Sequence, residues 1–165
     1  MRTFVIGLLG VLVAVAAVLV PTMWFNLRDL READAAGSAA MAAARRAAPE
    51  LLSYDYRTVE KDLARAGSHT TGELTRYYKE LSTSLAARAR AEKIVQTASV
   101  AGAAVERARP DRVEILLFVN TGTVKEVPGK SGPQQQVAQS RARLVMVREG
   151  DRWLAADLST LLGAA

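Results

Sequence analysis

The sequence predicts an α+β domain carried on one N-terminal hydrophobic helix, and three observations lead there. From Phe4 to Val20 every residue is apolar or glycine. Between residue 33 and about residue 90 the apolar side chains fall at helical spacing. From Ile94 onward the apolar period drops from about 3.6 to 2, the change that separates helix from strand. A run of helices followed by strands on short links favours an antiparallel meander with helices over one face of the sheet.

The apolar run FVIGLLGVLVAVAAVLV continues through Pro21 and Thr22 to Met23, Trp24 and Phe25. A helix needs about 20 residues to cross the hydrocarbon core, so Phe4–Phe25 is long enough. Phe4, Leu8, Leu12, Val15 and Leu19 supply its lipid-facing bulk, and Trp24 sits where tryptophan favours the interface. A cleaved signal peptide is the competing reading. Its apolar stretch usually spans about 7–15 residues before a small-x-small site, whereas this exit is bulky, which favours an uncleaved anchor over residues 1–25. Flanking charge barely sets orientation. The short N-terminal tail favours a cytoplasmic N-terminus and an extracytoplasmic domain at a single-pass cell-membrane anchor.

Ala33–Ala48 is almost pure alanine, the strongest helix former, and predicts a juxtamembrane helix within residues 26–53. Pro49 should kink or restart it, since proline has no amide to bond back four residues. Residues 54–165 then make the α+β domain. Val59, Leu63 and Ala66 predict a helix from Asp55 to Ala66, with Gly67 as a left-handed cap. Thr70 and Glu73 form a capping-box pattern ahead of Leu74, Tyr77, Tyr78, Leu81 and Leu85, one buried stripe.

Four strands follow: Ile94–Arg107, Val113–Asn120, Val137–Arg148 and Trp153–Leu158. Pro110-Asp111 turns the chain between the first two, and Glu149-Gly150-Asp151 makes a tight hairpin between the last two.

The charge of +5 invites a nucleic-acid reading, but its distribution excludes one. Beyond residue 25, 21 basic residues face 17 acidic ones, closely interleaved as in Glu60-Lys61-Asp62. That is an ordinary solvated surface. With no cysteine, neither a disulfide framework nor a thiolate site is available. The single histidine, His69, has no companions at metal-ligand spacing and reads as a loop or capping residue. No nucleophile elbow or phosphate loop is present, so neither catalytic residues nor cofactors are expected. Tyr54, Asp55, Tyr77, Tyr78, Phe118 and Trp153 are the candidate pocket-lining residues, with core packing the stronger reading for the aromatic ones.

Four segments together resemble the Mce-associated membrane proteins of actinobacteria: LLSYDYRTVEKDLARA (Leu51–Ala66), TTGELTRYY (Thr70–Tyr78), LLFVNTGTVKE (Leu116–Glu126) and RARLVMVREGDRWLAADL (Arg141–Leu158). The resemblance implies a cone-shaped nuclear-transport-factor-like (cystatin-like) fold of three helices on a curved four-stranded sheet. It also implies an extracytoplasmic, non-enzymatic accessory subunit beside lipid-importing Mce complexes or other membrane subunits, in contact with the bilayer. Pro49 departs from the unbroken helix such proteins keep. Because this cone often encloses a cavity, a small-ligand binder or isomerase-like enzyme is an alternative. At the level of fold the chain is also similar to anchored assembly scaffolds of conjugation and type IV secretion machines.

Overall fold

The structure, a computed structural model, describes residues 28–161. The expected anchor, Phe4–Phe25, lies outside the described residues. Within them, no helix is long and apolar enough to cross a membrane.

Three helices precede or flank a five-stranded antiparallel sheet among the described residues. The first, α1, covers residues 28–52. Then come β1 (Tyr54–Asp55), α2 (Val59–Gly67), α3 (Gly72–Ala91), β2 (Val95–Ala108), β3 (Arg112–Lys125), β4 (Gln134–Glu149) and β5 (Arg152–Leu161). The strands lie in chain order, β1 to β5, as a meander.

Alternation along β3 builds the core. Val113, Ile115, Leu117 and Val119 point inward and are at most 1% exposed. Opposite them on β4 stand Met146, Leu144 and Ala142, paired in register with Val113, Ile115 and Leu117. One-residue alternation keeps all of these on the same face. Register shifts at Val100/Gly102 and Val105/Arg107 interrupt β2, where bulges bend a strand and raise its twist.

The helices cover this inner face. Ala36, Ala40, Ala44, Ala47 and Ala48 are buried in the same core cluster as Ile115 and Leu144, together with Val59 and Leu63 of α2 and Leu74 and Tyr78 of α3. Small side chains let α1 approach the sheet closely. Gly37 is the tightest case: a Cβ there would stand 3.5 Å from Ala108 Cβ. The alanine-rich segment, expected as a juxtamembrane helix and as one of three helices on the sheet, contributes a face to the domain's core.

Several local expectations are corrected. The helix does not restart at Pro49; it runs on to residue 52, the proline falling in its last turn, where few backbone bonds remain to be lost. The second helix begins at Val59 rather than Asp55, because Tyr54 and Asp55 are drawn into the sheet opposite Gln96 and Val95, giving a fifth strand. Gly67 is the last residue of α2 and not a positive-φ cap; Ser68 follows in right-handed helical geometry. The capping box does not form. The N-cap of α3 is Thr71, without a side-chain cap bond, since Thr70 is held in a bridge to Ala155 and its hydroxyl donates to the Gly67 carbonyl at 2.8 Å. The hairpin at Gly150-Asp151 forms as expected, with Glu149 opposite Arg152 and Gly150 at φ +59.

Candidate functional site

The positions that would line a cone cavity are filled. Ile115, Leu117, Leu144 and Met146 have no exposed surface, and the alanines of α1 share their cluster. The six residues singled out for a pocket go to different places. Tyr54 is half-buried in β1, and burial raises its hydroxyl pKa, partly countered by Arg88. Asp55 accepts 2.9 Å bonds from both the backbone and the side chain of Arg57. Those bonds hold its carboxyl below the ordinary carboxylate range, so it is a neutralised surface partner and not a poised base.

Only the tyrosine pair is brought together. Tyr77 and Tyr78 meet edge-on with ring centroids 6.2 Å apart. Tyr78 is buried and its hydroxyl donates to the Leu51 carbonyl at 2.7 Å; Tyr77 turns outward and is 56% exposed. Trp153 packs partly buried against the core, opposite Arg148 in the β4–β5 hairpin. Phe118 lies on the other side of the sheet, 44% exposed, its ring over Gly102.

A polar hub was not anticipated from the sequence. Asp62, buried in the first turns of α2, accepts from the Asp55 amide at 3.1 Å, the Thr58 hydroxyl at 2.8 Å and Arg65 Nη2 at 2.8 Å. It fastens β1 and the following turn to α2. Thr58 and Asp62 stand four apart, the one signal in the sequence. His69 Nε2 lies 3.0 Å from Glu50 Oε2, a contact between the end of α1 and the turn after α2. Among the described residues no group of three or more His, Cys, Asp or Glu is placed to hold a metal ion.

Two clefts open on the helical layer. One, about 720 Å³, lies between α2 and α3 and is lined by Leu63, Ala64, Tyr78, Ala86 and Ala87 with Arg90 at its rim. The other, about 510 Å³, lies between α3 and β5 beside Tyr77 and Asp157. Both fall within the size range of small-molecule sites, and the first has the more apolar lining.

The outward face of the sheet is the more unusual surface. Register puts Phe118 and Val124 of β3 and Val137 of β4 on that one face, the last two on adjacent strands diagonally across Gly122 and Gln135. All three are exposed. In this half of the face β3 and β4 contribute Asn120, Gly122, Gln135 and Gln139 as well, and Arg141 is their only charge.

Known proteins share this architecture. A periplasmic fragment of TraM superposes with a TM-score of 0.58 at 14% identity, over 74% of this chain and 95% of its own. An IcmL-like type IV secretion system protein from Legionella pneumophila gives 0.55 at 12% identity, over 73% and 88%. An Ntf2-like protein involved in plasmid conjugation gives 0.51 at 10% identity, over 75% and 48%. At these identities the likeness is one of fold, and the fold is NTF2-like. In sequence the chain is 33% identical to Rv1362c of Mycobacterium tuberculosis over 138 residues, 81% of this chain and 61% of that one. The chain thus spans about three fifths of that relative's length. It is 35% identical to Rv1973 of the same organism, named an outer membrane protein, over 76% of each. The family described as "Uncharacterized protein Rv1363c/MT1408-like" matches residues 3–154, and the chain belongs to that family.

Proposed function

We propose that this chain is a non-catalytic assembly subunit of a cell-envelope complex, tethered by Phe4–Phe25 with its domain outside the cytoplasm and working through the outward face of its sheet. The observation that carries this reading is where apolar surface is spent. The inner face is filled, while Phe118, Val124 and Val137 stand 44, 37 and 70% exposed on the outer one. Exposed apolar residues gathered on one face of an otherwise charged protein mark an interaction surface.

The neighbours support the same direction. Their names include a type IV secretion system, plasmid conjugation and a periplasmic fragment, and one relative is named an outer membrane protein. This favours the scaffold reading over accessory service to an Mce-type lipid importer, which rests on sequence resemblance alone. Solubilising native membranes in mild detergent and recovering the tagged full-length chain distinguishes the hosts. The same secretion-type or Mce-type subunits in every preparation supports the reading; repeated recovery of the chain alone overturns it.

Small-ligand binding is a second reading, supported by the cleft between α2 and α3. It predicts that a hydrophobic reporter dye binds the full-length chain and that Ala87→Trp, which fills the cleft, abolishes the signal. Equal signals from both proteins would refute it.

A further inference from the structure

The cleft between α2 and α3 is long, narrow and apolar, with one unpaired cation on its lip. Its floor is made by Leu63, Tyr78 and Ala86, all buried. Its lips are Ala64 and Gly67 on α2 and Lys79, Thr83 and Ala87 on α3. A Cβ added at Gly67 would meet nothing within 4 Å, so that end of the cleft is open. Glu60 and Arg90 form an ion pair across the other end and close it.

The shape restricts what can lie there. Along α3 the lining runs from Thr75 to Arg90, about 22 Å at 1.5 Å per residue. Spread over that length, 720 Å³ gives a mean cross-section of about 33 Å². A helix about 10 Å across needs about 80 Å², so a partner helix is too thick. An extended peptide is thin enough, but both walls are helices whose backbone groups bond within themselves, leaving its amides without partners. A sugar chain needs side chains free to hydrogen-bond its hydroxyls. Tyr78 donates to the Leu51 carbonyl, Ser82 donates to the Lys79 carbonyl at 2.6 Å, and Thr75 Oγ1 lies 2.8 Å from Thr70 Oγ1. Of the lining hydroxyls that leaves Thr83 alone. A single hydrocarbon chain needs apolar walls and no hydrogen bonds, and it fits.

The charge names the other end of the occupant. Arg90 is paired with Glu60 and Arg76 with Glu73, while Glu80 lines the cleft beside β5. Among the described residues no carboxylate pairs with Lys79. It stands one helical turn from Thr75, towards the open end, and about 12 Å of α3 separates it from Ala87.

We infer that this cleft binds a single-chain anionic amphiphile, its tail along Leu63, Tyr78 and Ala86 and its carboxylate or phosphate head at the Lys79 ammonium. Burying the tail supplies the affinity, and the ammonium selects the sign of the head. The inference rests on the second reading above, that the cleft is a ligand site, and adds the class of ligand.

Four photoreactive dodecyl probes test it, ending in a carboxylate, a phosphate, an alcohol or a trimethylammonium group. Each is irradiated with the full-length chain in nanodiscs of phosphatidylcholine, and the labelled residues are mapped by mass spectrometry. The anionic probes should label the stretch from Leu63 to Ala87 about tenfold more than the alcohol, and the stronger of the two identifies the head group. Lys79→Gln should bring them down to the level of the alcohol, and Lys79→Arg should restore them. Lys61→Gln, an exposed change on α2 outside the cleft, should alter nothing. Ala87→Trp should end labelling of the cleft by every probe. Equal labelling by anionic and neutral probes, preference for the cation, or indifference to Lys79→Gln would overturn the head-group assignment while leaving the cleft a ligand site. No labelling of the cleft by any probe would sink both. A photoreactive residue at Ala87 that captures a protein in native membranes would assign the cleft to a partner chain and overturn the inference too.

Discussion

The hydroxyl of Tyr78, in α3, donates a 2.7 Å hydrogen bond to the carbonyl of Leu51 in the last turn of α1. The last carbonyls of a helix have no partner within it, and this one is buried. One bond therefore closes the end of α1 and ties two helices over the core. Tyr78→Phe keeps the ring and removes the donor, and should cost about 1–3 kcal/mol, because the buried carbonyl is left unpaired. Urea denaturation at neutral pH measures it.

The same hydroxyl gives a pH signature. Burial pushes the Tyr78 pKa up from 10.0 to about 12, with Tyr77 adding a smaller push. Because the folded value is the higher one, the contribution is complete below pH 10 and is lost as pH rises from 10 through about 12. Over that interval the wild-type chain should lose up to roughly 2–3 kcal/mol more than the Tyr78→Phe variant. The gap between the two denaturation midpoints should accordingly narrow with rising pH; a constant gap would show that the hydroxyl is not buried.

Gly37 and Ala44 test whether α1 belongs to the core. At Gly37 an added Cβ would meet Ala108 and Val105 at 3.5–3.8 Å, ordinary contact, while removing a helix-interior glycine. Gly37→Ala should stabilise by about 0.5–1 kcal/mol. Ala44 has no exposed surface, so Ala44→Leu should destabilise by about 1–3 kcal/mol through overpacking. The same change at exposed Ala39 should stay within about 0.5 kcal/mol. Thermal midpoints of the three variants decide.

Asp62 should behave as a fastener. Asp62→Ala removes the acceptor for the Asp55 amide, the Thr58 hydroxyl and Arg65 together, and should cost about 1.5–3 kcal/mol. Asp62→Asn, which keeps one acceptor oxygen, should fall between. Hydrogen exchange at the Asp55 amide should quicken in Asp62→Ala before the chain unfolds globally.

Much of this architecture was legible in the residues. Strict alternation from Val113 to Val119 marked β3, and the Leu74–Tyr78 spacing marked α3, because each period follows one buried face. What escaped was set by partners distant in sequence. β1 is two residues long, too short to alternate, and exists because Gln96 and Val95 lie opposite it. Thr70 failed as a cap because Ala155, far along the chain, holds it in a bridge. Tyr77 and Tyr78 sat in the same predicted stripe, yet one faces the core and the other solvent, a rotation that periodicity alone does not fix. The outer apolar face was hidden for a similar reason: Val124 and Val137 become neighbours, and Phe118 joins their face, only once the β3–β4 register is known.

The most direct test places a photoreactive residue at Phe118 in the full-length chain and irradiates native membranes. Working through the outer sheet face predicts one discrete adduct with a different envelope protein, and little from the same residue at exposed Ser84 on α3. No adduct at 118, or equal adducts at both positions, would contradict it.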